Sequence, residues 1–92
     1  MIQSFADRDT EQLFHEEKNR RFMSIARVAL RKLFQMNRAG VLQDFAVPPG
    51  NRLEPLKGNR SGSHSVRIND QWRIVFRWAE KGPAEVAIAD HH

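Results

Sequence analysis

The hydrophobic pattern changes from a helical period in the first half of the chain to a strand period in the second half. Between residues 22 and 38, apolar side chains fall on one broad arc at about 100° per residue, which predicts an amphipathic helix. The arc contains Phe22, Ile25, Ala26, Ala29, Leu30, Leu33, Phe34 and Met36. The opposite side is basic, and such a face is more often solvated surface than a nucleic-acid footprint.

A shorter helix is predicted before this one from its start signal. Asp9 is followed three positions later by Gln12, which is the spacing of a capping box. We expect this helix to run to about Lys18, with Leu13 and Phe14 packed inward. The segment 47–51, with two prolines and a glycine, then predicts a loop between the helical half and the strand half.

After the loop, apolar and polar residues alternate, which is the two-residue period of a β-strand. The alternating apolar positions form three runs: Val66 and Ile68; Trp72, Ile74, Phe76 and Trp78; Val86 and Ile88. The dipeptides Asn69-Asp70 and Gly82-Pro83 separate these runs and are typical of turns. The pattern therefore predicts three antiparallel strands.

The register of the first hairpin follows from keeping its apolar side on one face. A two-residue turn would place polar residues beside apolar ones. A three-residue loop at 69–71 instead pairs Ile68 with Trp72 and Arg67 with Arg73, so each face keeps its character. We therefore predict the three-residue loop.

Length and composition indicate one small domain, residues 1–92. The chain has no cysteine, so packing alone must hold the fold, and a reducing compartment is consistent with this. Its start lacks a basic segment followed by an apolar stretch, and its longest apolar run is the four residues 86–89. We therefore expect a cytoplasmic protein that neither is secreted nor spans a membrane.

The charge distribution points to an anionic polymer as partner. Fifteen Lys and Arg residues against eleven Asp and Glu give a net charge of +4. The stretch 52–77 holds most of the excess, with six basic and only two acidic residues. Most of the cations are arginine, whose planar guanidinium suits bidentate phosphate contacts.

The predicted register places Arg67 directly across from Arg73, with Arg77 further along the same face. Facing like charges are destabilising unless something offsets them. A bound phosphate would do so; alternatively, the side chains splay apart or pair with Glu54 or Glu85. The sequence leaves both interpretations open.

The last strand and the chain end add candidate chemistry to this face. Ala87 and Ala89 would leave space open there, and His91 would point the same way, so a basic groove with a floor of small residues is predicted. Histidine titrates near neutrality, which suits His91 and His92 to acid or base work. The two histidines are otherwise a tag remnant or a frayed end. The four candidate metal ligands His64, Asp90, His91 and His92 lack regular ligand spacing.

The segment 52–60 precedes the strands as a loop or short strand, and loops on a rigid scaffold often carry function. It holds Arg52, Lys57 and Arg60 around a single carboxylate, Glu54. Glu54 either neutralises these cations or acts as a general base.

Three stretches together resemble HigB toxins, the host-inhibition or plasmid-killer branch of the RelE/ParE superfamily. They are PPGNRLEPLKGNR at 48–60, SVRINDQWRIVF at 65–76 and the Asp-His-His end at 90–92. The resemblance spans nearly the whole chain, and its most specific piece is the run 69–73, Asn-Asp-Gln-Trp-Arg, combined with a histidine as the last residue.

The resemblance implies an α+β fold, in which two N-terminal helices pack on a small twisted, mostly antiparallel sheet with a first strand at residues 2–5. It also implies a ribosome-bound endoribonuclease that cuts mRNA in the decoding site without a cofactor. The implied partner is a HigA-type antitoxin with a helix-turn-helix, so that operator DNA is contacted only through the antitoxin.

The resemblance further implies roles for individual residues. Arg73 and Lys57 would contact the scissile phosphate, with His92 as the acid–base residue and Asp90 beside it. Two positions depart from the family pattern: His91 stands where relatives usually have tyrosine, and Glu54 stands where some have histidine. Either Glu54 or a histidine is thus the base; if Glu54 is the base, His92 is the acid.

The residues expected to bind RNA are Arg67, Arg60, Arg77 and His91. His64, His91 and Trp78 are candidates for base stacking, although Trp78 is interpreted as core. Two functions of other classes remain as alternatives. A ParE-like gyrase inhibitor would need no acid–base pair, and a non-catalytic nucleic-acid-binding module would bind without cleaving.

Overall fold

The computed structural model describes residues 1–46, 51–56 and 62–90 of the chain. Its helices are α1 (Arg8–Glu16), α2 (Ala26–Arg38) and a 3₁₀ helix (Leu42–Ala46). Its strands are β1 (Glu54–Pro55), β2 (Ser63–Arg67), β3 (Trp72–Ala79) and β4 (Gly82–Asp90). The strands form one antiparallel sheet in the order β1-β2-β3-β4, and the predicted α+β class is confirmed.

The start of α1 differs from the prediction. Asp7, not Asp9, is the N-cap, because the Asp7 side chain accepts a hydrogen bond from the Thr10 amide at 2.7 Å. Asp9 and Gln12 instead both accept from the side-chain amide of Asn19, at 3.1 and 2.7 Å. The predicted capping box at these two positions is therefore wrong. The side chains of Asp9 and Gln12 instead connect helix α1 to the segment after it.

Helix α1 ends at Glu16, two residues before the predicted limit, because Glu17 adopts the left-handed conformation at φ 61°. Leu13 is fully buried, as predicted. Thr10 connects the helix to the sheet: its hydroxyl accepts a hydrogen bond from the Ile88 amide at 3.0 Å. The first turn of α1 is thereby fixed beside the end of β4.

Helix α2 begins four residues later than its apolar pattern predicted. The backbone before it forms tighter turns, with the Phe22 amide donating to the Asn19 carbonyl and the Ile25 amide to the Phe22 carbonyl. Both Phe22 and Ile25 are nevertheless buried, as the pattern required. A turn of three residues places side chains on nearly the same face as a helical turn, so burial was predicted correctly while the helix start was not.

The β2–β3 hairpin has the predicted register. Arg67 lies opposite Arg73, and the Ile68 amide donates to the Trp72 carbonyl at 2.9 Å across the three-residue loop 69–71. On the even-numbered side of the hairpin, Val66 of β2, Ile74 and Phe76 of β3, and Ile68 just after β2 are buried in the core. The odd-numbered residues therefore occupy the other face of the sheet.

The turn between β3 and β4 lies at residues 80–81 rather than at the predicted Gly82-Pro83, which already pair with Ala79 and Trp78. Gly82 has a different role. Its φ is +139°, and a Cβ atom there would lie 2.3 Å from the Met1 carbonyl oxygen. Glycine is required at this position because the N-terminal backbone passes against it.

Residues 2–5 run along β4 in the parallel direction, where the resemblance implied a strand. The Gln3 amide donates to the Pro83 carbonyl, and the Val86 amide donates to the Ser4 carbonyl. Phe5 forms a parallel bridge with Val86. This segment covers the β4 edge of the sheet, so that β1 lies at the opposite edge.

The pairing of β3 with β4 shifts register between Val75 and Arg77, where Glu85 adopts a positive φ of 54°. Such a bulge changes which residues of a strand point to each face. Beyond it, Ala87 lies opposite Val75 and Ala89 opposite Arg73, so both alanines share the face of Arg73, as predicted.

Candidate functional site

The site lies on the sheet face that the helices leave uncovered. Strand β1 adds Glu54 to this face, since Glu54 pairs directly with Ser65 of β2. Strand β3 contributes Arg73, and β4 contributes Ala89 opposite it. Residues far apart in sequence are therefore brought together by strand pairing alone.

Arg73 is the central side chain of this face. Its guanidinium Nη1 donates a hydrogen bond to the Ser65 hydroxyl at 3.1 Å and lies 3.8 Å from a carboxylate oxygen of Glu54. The Arg73 side chain is only 13% exposed, whereas that of Glu54 is 56% exposed. The sequence left open whether the facing arginines bind a phosphate or instead splay apart or pair with Glu54 or Glu85. In the structure, Arg73 pairs with Glu54.

A cleft of about 130 Å³ opens beside this pair. Its lining consists of Glu54, Leu56, Ser65, Arg73, Val75, Ala89 and Asp90. This volume is well below the roughly 300 Å³ at which small-molecule pockets usually begin. The cleft therefore suits a small chemical group rather than a whole nucleotide.

Asp90 forms the rim of the cleft at the end of β4, where it pairs with Trp72. Its carboxylate accepts a hydrogen bond from the Gln71 side-chain amide at 3.4 Å. His91 and His92 follow Asp90 directly in the sequence and lie outside the described residues.

Arg67 and Arg77 lie on the same face outside the cleft. Arg77 donates to Glu85 at 3.0 Å, and Arg67 donates to Asp70. The hydrogen bond and positive charge of Arg67 hold the pKa of Asp70 below its ordinary value. Both arginines thus have a carboxylate at hydrogen-bond distance.

Lys32 of α2 supports the strand that carries Arg67, because its ammonium donates to the Arg67 carbonyl at 2.6 Å. Burial lowers the pKa of Lys32 from its ordinary value, and the nearby charges of Arg31 and Arg67 lower it further.

The structure brings Glu54, Arg73 and Asp90 together at the cleft, with Arg67 and Arg77 on the same face. The other predicted site residues, Lys57, Arg60, His91 and His92, lie outside the described residues. Sequence reasoning missed Ser65. The predicted register could have indicated it, since residue 65 shares the face of residues 67 and 73.

Two candidates for base stacking lie away from the cleft. His64 stacks on Phe76 with ring centroids 6.1 Å apart, on the helix-covered face, and its Nδ1 atom is buried. Trp78 packs against the core beside Phe45, as interpreted from the sequence.

Residues 1–46, 51–56 and 62–90 contain no group of three His, Cys, Asp or Glu side chains that could hold a metal ion. None of their helices is long and apolar enough to cross a membrane.

By its fold, the protein belongs to a structural class that includes two solved bacterial proteins. A crystal structure of a YafQ variant from E. coli superposes with a TM-score of 0.66 at 10% identity, covering 99% of this chain and 92% of that chain. The YoeB–YefM complex from Staphylococcus aureus gives 0.63 at 23% identity, covering 100% of this chain and 95% of that chain. At these identities the likeness shows the fold.

The sequence identifies the family within this class. Residues 3–92 match the HigB-like toxin family, described as RelE-like toxin of type II toxin-antitoxin system HigB. Toxin HigB-1 of Vibrio cholerae is 38% identical over 82 residues, which cover 87% of this chain and 86% of that relative. The chain belongs to the HigB-like family of type II toxin–antitoxin toxins, and the resemblance inferred from its motifs is confirmed.

Proposed function

We propose that the protein is a ribosome-dependent mRNA endonuclease that inhibits translation by cutting mRNA in the decoding site. The observation that carries the proposal is the position of Arg73. Its nearly buried guanidinium faces a small cleft, with a carboxylate 3.8 Å away and Asp90 at the rim.

The chemistry proposed for this cleft is transesterification at one phosphate. A base removes the proton of the 2′-hydroxyl, and the 2′ oxygen forms a bond to the adjacent phosphorus. The bond from phosphorus to the leaving 5′ oxygen then breaks, and an acid protonates that oxygen. We assign the base to Glu54 and the acid to His92, with Asp90 beside His92. This scheme uses side chains only and needs no cofactor.

Preorganised cations would stabilise the charge that grows on the phosphate. Arg73 has this role in the proposal, because its guanidinium lies in the cleft before substrate arrives. Lys57 would supply a second cation.

Contacts outside the cleft would position the RNA strand. Arg60, Arg67 and Arg77 are proposed to contact neighbouring phosphates, which fix the strand without reading its sequence. A base stacked on the His91 imidazole would provide contact to the nucleobase, as aromatic side chains do in single-stranded RNA recognition.

Dependence on the ribosome would follow from the small size of the cleft. Attack by the 2′ oxygen requires that this oxygen, the phosphorus and the 5′ oxygen lie nearly in line. Among the described residues, a cleft of about 130 Å³ beside a half-exposed carboxylate holds only a small part of an RNA strand and would not by itself impose that alignment. We propose that the decoding site holds mRNA in the required shape, which also places the toxin in the cytoplasm. The entropic gain from such alignment is large.

Translation in a purified system tests this proposal. With programmed ribosomes and the protein present, mapping of mRNA ends should show new ends within the codon in the decoding site. Free mRNA should stay intact under the same conditions. Binding without new ends would favour a non-catalytic module, and inhibition of gyrase with intact mRNA would favour a ParE-like activity; either result would contradict the proposal.

We further propose that a HigA-type antitoxin with a helix-turn-helix covers or distorts the basic face in the resting cell. The family belongs to type II toxin–antitoxin systems, and a toxin that stops translation must be held inactive during growth. Operator DNA would then be contacted through the antitoxin alone.

This partner gives a second prediction. When the toxin is expressed from its own operon with an affinity tag, a separately encoded helix-turn-helix protein should co-purify with it, and removal of that protein should halt growth. High expression of the toxin alone without harm to the host would contradict the prediction.

A further inference from the structure

A buried serine lies in the middle of the exposed sheet face. Ser65 is only 2% exposed, although it points to the same side as Arg67 and Arg73. Burial of a hydroxyl is costly unless it forms a hydrogen bond. The bond that satisfies Ser65 is the one from Arg73 Nη1 to its hydroxyl oxygen at 3.1 Å.

This bond differs from those of the other two arginines of the face. Arg67 and Arg77 donate to the carboxylates of Asp70 and Glu85. Within the described part of the chain, the hydrogen-bond partner of Arg73 is a neutral hydroxyl. The Glu54 carboxylate oxygen with which it is paired lies at 3.8 Å, which is beyond hydrogen-bond distance.

A neutral partner has two consequences for the guanidinium. The hydrogen bond is directional, so it fixes the rotation of the group in a way that an ion pair at 3.8 Å does not. The hydroxyl is also uncharged, so this hydrogen bond does not itself neutralise the guanidinium, whose counter-charge is the Glu54 carboxylate at 3.8 Å.

We infer that Ser65 is a positioning residue, whose hydroxyl holds the Arg73 guanidinium at the cleft in the orientation that contacts the scissile phosphate. This inference rests on the proposed function, since the positioning matters for cleavage. Ser65 acts through Arg73 and does not itself react.

Three variants test the inference on programmed ribosomes. Ser65→Ala should lower the single-turnover cleavage rate by about tenfold or more, since a hydrogen bond to a charged group contributes about 1.5–3 kcal/mol, or roughly 10- to 100-fold. Ribosome affinity should change little. Ser65→Thr keeps the hydroxyl on a strand that favours β-branched residues and should restore most of the rate. Ser63→Ala, on the same strand and face, is the matched control and should cleave normally.

A double-variant cycle separates positioning from a general effect on the fold. If Ser65 acts through Arg73, Ser65→Ala should cause no further loss when Arg73 is already alanine. Additive losses would overturn the inference, as would equal losses in Ser65→Ala and Ser65→Thr when both melt like the wild type.

NMR of the arginine guanidinium groups provides a readout besides activity. The Arg73 signals should be resolved by restricted rotation in the wild type and in Ser65→Thr, and averaged in Ser65→Ala. Unchanged Arg73 signals in Ser65→Ala would overturn the positioning role alone. A wild-type protein that leaves mRNA intact would instead overturn the proposed function, whatever the NMR signals show.

Discussion

Arg73→Ala is expected to lower the rate of mRNA cleavage by about 10²–10³-fold, since one preorganised donor to a developing oxyanion typically contributes about 2.7–4 kcal/mol. The reason is that the guanidinium is nearly buried at the cleft, and that its hydrogen bond to Ser65 fixes it before substrate binds. The measurement is single-turnover cleavage on programmed ribosomes, with ribosome affinity determined separately. We expect the loss to fall on the rate rather than on the affinity.

Arg77→Ala is the comparison variant for this experiment. Arg77 lies on the same strand and face but outside the cleft, paired with Glu85. Removal of its side chain should weaken RNA binding more than it lowers the cleavage rate of bound mRNA. Near-normal cleavage by Arg73→Ala would remove Arg73 from the catalytic site and return the Arg73–Glu54 contact to a structural role.

The acid and the base should be separable by pH. If Glu54 is the base and His92 the acid, the cleavage rate should follow a bell-shaped profile. The rate falls at low pH because the carboxylate of the base becomes protonated, and at high pH because the imidazolium of the acid loses its proton. Glu54→Gln should therefore abolish the acidic limb and His92→Gln the alkaline limb, each with a loss of roughly 10²–10⁴-fold.

Pre-steady-state cleavage between about pH 4 and 8.5 would measure these profiles, a range that covers the ordinary titration of carboxylic acids and of histidine. Thermal melts serve as the folding control. Glu54 is more than half exposed, so its substitution should shift stability by less than about 0.5 kcal/mol. Full activity in His92→Gln would point to His91 as the acid. Full activity in Glu54→Gln would leave that carboxylate as a counter-charge for Arg73.

The sequence predicted best where a pattern allowed only one register. A hairpin slipped by one residue would place polar residues opposite apolar ones. The loop at 69–71 and the pairing of Arg67 with Arg73 could therefore be derived. Placement of Ala89 on the same face followed from that alternation. The part of the site made by paired strands was thus largely predictable.

Features that depend on competing local bonds could not be derived in the same way. Asp7 and Asp9 are equally plausible N-caps by residue type. In the structure, Asp7 accepts the capping bond from Thr10, while Asp9 accepts a hydrogen bond from Asn19, which lies after the helix. The two-residue strand at Glu54 is too short to show the apolar–polar alternation of a β-strand, so the sequence pattern could not predict its pairing with Ser65. The contact between Arg73 and Glu54 required both the register and that pairing.

The arginines of the sheet face carry their own counterions. Arg67 and Arg77 donate hydrogen bonds to the carboxylates of Asp70 and Glu85. Arg73 lies near the carboxylate of Glu54. A phosphate that binds one of these arginines must therefore displace or draw away a carboxylate, so part of the gain from releasing the cations condensed on RNA is offset. Affinity for free nucleic acid should then depend on salt less steeply than three unpaired cations would require. For the proposed translation inhibitor, such self-neutralisation would limit unproductive retention on other cellular RNA.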